Sequence, residues 1–183
     1  MDFDRVREQL RGLRTGDADE ARYVARMLEL SASPSACSRA SFTPGHFTAS
    51  AFVLSPDLGE LILIHHKKLG IWVQPGGHVD AEDVDLESAA RREVDEEVGL
   101  DALRPFGEAG ALFDVDIHEI PARKSDPAHE HFDVRFAFVA STKECVRSEE
   151  VADVRWVPLA SVAEVTRDRS VLRAVEKLRA RLT

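Results

Sequence analysis

Two cysteines, Cys37 and Cys145, are all that the 183 residues contain. They stand far apart and form no C-x-x-C unit, which excludes a disulfide framework and leaves two reduced thiols, the usage expected of a cytoplasmic protein. Positive charge is also in short supply: 24 Lys and Arg face 33 Asp and Glu, a formal net charge of −9. Proteins that grip a nucleic acid polymer by its backbone need clustered cations, so that class of partner is excluded. A small phosphorylated ligand survives the objection, because a bound metal ion supplies positive charge locally. No apolar run approaches the roughly 18 residues of a membrane span, and no membrane partner is expected. The opening MDFDRVREQL carries acids and no apolar stretch, unlike a secretory signal. No internal repeat is visible. What remains, 44% apolar and 31% charged residues, is enough to bury a core in one domain, or one domain with an appendage.

The informative stretch runs from Gly76 to Leu100, and within it Arg92-Glu93-Val94-Asp95-Glu96-Glu97-Val98-Gly99-Leu100. At about 100° per residue, Glu96 lies about 60° to one side of Glu93 and Glu97 about 40° to the other, so three carboxylates share one stripe of a predicted helix. They fall in its last turns, before Gly99, the natural left-handed terminator. Anions are disfavoured at that end of the helix dipole, and like charges at i,i+3 and i,i+4 repel. A rule broken three times over suggests that something else neutralises the charge. A hard divalent cation that takes carboxylate and phosphate oxygens is the simplest candidate: Mg²⁺, with Mn²⁺ as the alternative. The competing reading is a solvated helix laced by Arg91–Asp95 and Arg92–Glu96 pairs.

Gly77, five residues, Asp83, eight residues, then Arg92 through Leu100 resembles the Nudix box, G-x5-E-x7-R-E-U-x-E-E-x-G-U with U a bulky aliphatic residue. The second half matches without a gap. The first half departs twice, with Asp83 in place of Glu and one extra residue before Arg92; Glu82 is the alternative first acid. The flanks Gly45-His46-Phe47-Thr48-Ala49-Ser50 and His65 through Pro75 are similar to a bacterial group of Nudix-like proteins, and the likeness covers roughly residues 45–165. It implies an α/β fold, a Nudix-like α/β/α sandwich with a mixed sheet, here with an N-terminal helical extension over 1–40 and the domain over 41–183. It also implies hydrolysis of a pyrophosphate bond in a nucleotide-derived small molecule. Glu93 and Glu97, one turn apart, are expected as the primary metal carboxylates, and Glu96 either completes a second ion or accepts a proton from water. The resemblance assigns the carbonyl of Gly77 to the metal, and Arg92 is expected to orient Glu93 or Glu96.

The apolar spacing of Phe3, Val6, Leu10 and Leu13, and of Val24, Met27, Leu28 and Leu30 after a break at Gly16, predicts two N-terminal helices. Strands are expected over Thr48–Leu54, Glu60–His66, Ile71–Gln74, Ala111–Ile120, His129–Ala140 and Val154–Val157. The box helix is placed at about Asp85–Val98 with Ala90, Val94 and Val98 on its buried face, and a C-terminal helix spans Val171 to Leu182. A polar loop over Pro121–Ala128 joins two of the strands.

Alternation in the strand from His129 puts His129, His131, Asp133 and Arg135 on one face and Phe132, Val134, Phe136 and Phe138 on the other, core-facing one. Asp114, Asp116 and His118 alternate on the preceding strand. Two readings stand: a wall of the substrate cleft in which His129 or His131 touches phosphate or a second metal, or a solvent-facing sheet surface. Trp72 is a candidate for stacking on a base, or is simply buried. His65 to Lys68 either attract a polyphosphate or end a strand in solvent, and Glu149 and Glu150 either supply a further ligand or base or are simply exposed. Among other functions, a Nudix-like ligand sensor stands as the alternative. An isopentenyl diphosphate isomerase ranks below it for want of a recognisable cysteine setting. An EF-hand at Asp80, Glu82, Asp83 and Asp85 is rejected on spacing. Which nucleotide derivative is bound is not legible, and an oligomer is compatible with everything above.

Overall fold

Four aspartates start the four long helices. In a computed structural model of the protein, which describes residues 1–123 and 126–183, Asp2 accepts from the N–H groups of Asp4 and Arg5 at the head of α1 (Phe3–Gly12). Asp17 accepts from Glu20 N–H at α2 (Ala18–Leu30). Asp85 and Ser88 bond reciprocally at α3 (Leu86–Val98), the Ser88 N–H donating to Asp85 at 2.8 Å and the Asp85 N–H to Ser88 at 3.0 Å. Asp168 accepts from Ser170 and Val171 at α5 (Arg169–Leu182). Each cap satisfies a backbone donor that the helix itself leaves open, and is worth about 1 kcal/mol.

The strands are β1 (Gly45–Leu54), β2 (Glu60–His66), β3 (Trp72–Val73), β4 (Gly76–His78), β5 (Leu103–Pro105), β6 (Asp114–Ile120), β7 (His129–Ala140) and β8 (Val151–Pro158), and a short α4 (Val162–Val165) precedes α5. The class is α/β, as expected. Two strands and two helices match their predicted positions closely; β4, β5 and α4 were not predicted, because three or four residues carry no readable period. Of the polar connection placed at Pro121–Ala128, residues 124 and 125 lie outside the described residues.

The chain divides into two compact units. The first comprises Met1–Ser50, Gly77–Ala90 and Gly107–Phe136. In it β6 and β7 pair antiparallel over seven positions, Asp114 opposite Arg135 through Ile120 opposite His129. The two N-terminal helices belong to this unit: Val6, Leu10, Met27 and Leu30 are buried with Phe47, Val115, Phe132 and Val134. Arg26 of α2 forks onto both carboxylate oxygens of Glu130 at 3.0 and 2.5 Å and lies 5.2 Å above the Phe132 ring. Beside it the Glu130 N–H donates to the Pro44 carbonyl at 3.0 Å. The approach is so close that a β-carbon on Gly45 would sit 1.8 Å from the Glu130 carbonyl oxygen.

The second unit comprises Ala51–Gly76, Arg91–Phe106 and Ala137–Thr183. Its centre is β2, antiparallel to β8 along its whole length and to β3 on the other side. Leu61, Ile62, Leu63 and Ile64 are buried in succession, as in a strand covered on both faces. Phe52, Val94, Val98, Phe138, Val157, Val175 and Leu178 complete this core. The turn at 55–59 closes the predicted hairpin, with the Gly59 N–H and the Ser55 hydroxyl donating to Asp57.

The His/Asp face of β6 and β7 is not a solvent-facing surface, and the reading that made it one is corrected. Asp114, Asp116 and Asp133 are buried, and Arg135 is 3% exposed. The Arg135 guanidinium reaches Asp133 at 2.7 Å, Asp114 at 3.3 Å and Asp116 at 3.4 Å. Thr48 and Ser50 hydroxyls donate to Asp133 at 3.2 and 2.8 Å. Three buried carboxylates around one cation raise the Arg135 pKa above its ordinary value in spite of burial. Alternation alone shows which residues share a face, not what covers it. Removing one partner of a buried ion pair costs about 3–5 kcal/mol, because the other charges stay buried. Arg135→Leu is therefore expected to lower stability by about that amount in urea unfolding, and a loss below about 1 kcal/mol would show the aspartates to be otherwise neutralised.

Candidate functional site

Helix α3 buries Leu86, Ala89, Ala90, Val94 and Val98 and turns its acids to another face. It ends as predicted: Gly99 takes φ +69° and its N–H closes on the Asp95 carbonyl at 2.8 Å. The next two orphan carbonyls are met by the segment before β8, with Val146 N–H donating to Val98 at 2.9 Å and Ser148 N–H to Glu97 at 3.2 Å. The same segment brings Glu150 close enough to act electrostatically on Glu97. Of the two acids Glu149 and Glu150, the second thus joins the stripe's surroundings, and the first lends its carbonyl to Lys67.

Within the stripe, one nitrogen of Arg92 donates to Glu93 at 3.0 Å and to Glu96 at 2.9 Å. Glu96 keeps 56% of its side chain exposed, while Glu93 and Glu97 are buried. Glu97 accepts the Gly76 N–H at 3.0 Å. Burial, then the neighbouring charges of Glu93, Glu150 and Glu96, push the Glu97 pKa up to about 8, against the lowering effect of the Gly76 bond. An oxygen-only donor set, two of its three carboxyl groups buried, fits a hard divalent ion. Glu93, Glu96 and Glu97 would hold it.

Among the described residues, however, the trio of ligating side chains whose donor atoms all lie within 4.8 Å of one another is His46, His129 and His131. They are part of a larger cluster. The His46 ring stacks on His78 at 5.2 Å and on His129 at 5.2 Å, and lies 4.9 Å from His131. His78 and His118 flank His131 at 5.0 and 5.5 Å. Burial lowers the pKa of His46, that of His78 to about 4 and that of His131 to about 2, so these rings are neutral at pH 7. The predicted pair His129 and His131 is thus brought together, with His118 from the paired strand. His46 and His78 were not foreseen as part of it; the signal present was a histidine directly after a glycine at each place, Gly45-His46 and Gly77-His78.

The NUDIX domain model matches residues 44–175. The chain belongs to the NUDIX family. Among solved structures, the NUDIX domain of Shewanella oneidensis NrtR complexed with ADP ribose is 24% identical, covers 75% of this chain and 88% of its own, and superposes with a TM-score of 0.55. The E. coli dihydroneopterin triphosphate pyrophosphohydrolase is 18% identical over 72% of this chain and 92% of its own, TM-score 0.57. A C. elegans Ap4A hydrolase is 18% identical over 74% and 96%, TM-score 0.53. These likenesses establish the Nudix fold with its mixed sheet. A comparison with curated protein sequences found no match.

The remaining residues of the Nudix box divide by role. Gly77 follows Gly76 within β4. Asp83, where the family pattern has its first acid, is tied into its own turn, accepting the Asp80 N–H at 2.8 Å, and Glu82 is exposed. Trp72 packs with Arg155 4.5 Å above its ring and His65 at 5.2 Å. His66 caps its own turn, accepting from Lys68 and Leu69 N–H groups. Burial pushes the Cys37 thiol up to about 11, unsuited to a nucleophile.

Glu97 keeps its proton in the fold up to about pH 8, whereas an unperturbed carboxyl releases it near 4.5. Between those values the folded state binds more protons than the unfolded one, so the stability of metal-free protein falls as pH rises from about 5 to 8. Glu97→Gln is expected to flatten that decline by roughly 2 kcal/mol in urea unfolding at pH 6 and pH 8.5 with chelator present. An unchanged slope would mean that the carboxylate is already ionised in the fold.

Proposed function

We propose that this NUDIX protein is a Mg²⁺-dependent hydrolase, with Mn²⁺ as an alternative ion, that cleaves a pyrophosphate bond in a nucleotide-derived small molecule. The observation that carries the reading is the unbroken Arg92-Glu93-x-x-Glu96-Glu97 sequence at the closed end of α3, with Glu97 buried and charged neighbours around it. A helix that placed acids for solubility would not bury one at its negative end.

A divalent ion held there would supply positive charge to offset the phosphates and to acidify an attacking water. Glu93 and Glu97 are the primary ligands in this reading, joined by Glu96 and the Gly77 carbonyl. Arg92 is the positioning residue: its bonds to Glu93 and Glu96 fix two carboxylates at once and offset part of their repulsion. Glu96, the exposed member, is the acid placed to take a proton from water, with Glu93 the other candidate for that part in catalysis. His129, His131 and Trp72 are the proposed substrate contacts. The neutral His131 imidazole would hydrogen-bond a phosphate without attracting it by charge. Relatives of the same fold include one complexed with ADP ribose and others named for Ap4A and for dihydroneopterin triphosphate, which is consistent with a nucleotide-like ligand. In this reading residues 1–40 are a helical extension of a domain spanning 41–183, and the protein works in the cytoplasm. Among the described residues no helix is long and apolar enough to cross a membrane.

The test is Mg²⁺-dependent turnover of a panel of nucleotide derivatives with products identified by mass, beside a Glu96→Gln/Glu97→Gln variant. Wild type is expected to cleave at a pyrophosphate bond, and the double variant to lose at least about a thousandfold in kcat/KM. A folded wild type that binds panel members and cleaves none would replace the enzyme with a ligand sensor.

A further inference from the structure

We propose that His46, His129 and His131 form a binding site for a divalent transition-metal ion, of the Zn²⁺ class, held through imidazole nitrogens. The inference goes beyond the hydrolase reading, whose metal ligands are the carboxylates of α3 and the Gly77 carbonyl and which gives His129 and His131 to the substrate rather than to an ion.

Three observations converge on it. One donor nitrogen from each ring lies within 4.8 Å of the other two. A tetrahedral ion with bonds of about 2.0–2.1 Å sets its ligands ~3.4 Å apart, so small ring rotations close the site. Next, Nε2 of His46 and Nε2 of His131 are buried and, among the described residues, have no hydrogen-bond partner. Buried polar atoms are almost always paired, and two orphans on adjacent rings ask for a shared partner.

The third observation fixes which nitrogens are free. Nδ1 of His46 lies 3.0 Å from the Ser41 carbonyl, and Nδ1 of His129 lies 2.9 Å from the Pro127 carbonyl. A carbonyl only accepts, so each Nδ1 carries a proton, and in the neutral tautomer that this selects Nε2 presents the lone pair. Metal-binding histidines are typically held in this way, the far nitrogen donating to a backbone carbonyl or carboxylate. Acidic groups lie close by: Asp133 is two residues from His131, and Asp116 contacts His118 at 3.4 Å. Three protein ligands leave a coordination position open, and His78 and His118 are the nearest further imidazoles.

Nitrogen donors select Zn²⁺, Co²⁺ or Ni²⁺ over Mg²⁺, which separates this site from the carboxylates in a binding experiment. Chelator-stripped full-length protein is titrated with Zn²⁺ by calorimetry in excess Mg²⁺, and with Co²⁺ by its visible ligand-field bands. One ion per chain is expected, with His46→Gln and His129→Gln each weakening it by more than about 100-fold and Glu93→Gln/Glu97→Gln leaving it in place. His129 is half-buried, so its variant decides the matter even where His46→Gln unfolds; circular dichroism and the urea midpoint report folding. The proposal is overturned if folded wild type takes up neither ion in excess Mg²⁺. It is equally overturned if His129→Gln binds as wild type does, or if the glutamate variant is the one that loses the ion.

Discussion

Negative charge concentrated where a helix least tolerates it is the constraint that organises the second unit. The last two turns of α3 carry Glu93, Glu96 and Glu97 against its own dipole, two of them buried. Every neighbouring feature answers that arrangement. Arg92 bridges two of the acids, the Gly76 N–H is spent on the third, and Gly99 stops the helix two residues beyond Glu97. The segment holding Val146 and Ser148 covers the exposed carbonyls at the same end, where water would otherwise solvate them. The result is an oxygen-rich donor set of the kind that suits a hard cation.

The first unit handles buried charge with the opposite donor chemistry. There, nitrogen rings gather in the same unit as an ion network in which Arg135 reaches Asp133, Asp114 and Asp116. Five of the seven histidines in the chain meet in this unit. One chain therefore presents two donor sets that differ in hardness, and metals sort between them by ligand preference rather than by overall affinity.

Local pattern made much of this legible. The acids of α3 and its terminator follow from a 3.6-residue period and one glycine, and β7 with its two faces follows from a period of two. The pairing that puts His118 opposite His131 was conditional in the sequence, since alternation does not specify a partner strand, and the register now fixes it. Two things escaped for physical reasons. Burial of the Asp114–Arg135 face depends on what packs above it, which no single strand encodes. His46 and His78 sit at least 83 and 53 residues from the β7 histidines they meet in space, a long-range convergence without periodic trace. Short elements such as β4 and β5 lie below the length at which a period can be read.

At Gly45 the strand runs so near the Glu130 carbonyl that even a methyl group has nowhere to go. The adjoining residue is His46, and its ring direction is set by the backbone it hangs from. A position with no functional group thereby acquires the mutational behaviour of a ligand. In a saturation library, residue 45 would be as intolerant as the histidine beside it, and a reader ranking positions by sensitivity would list a bare glycine among the binding groups. Its contribution is the space it leaves empty.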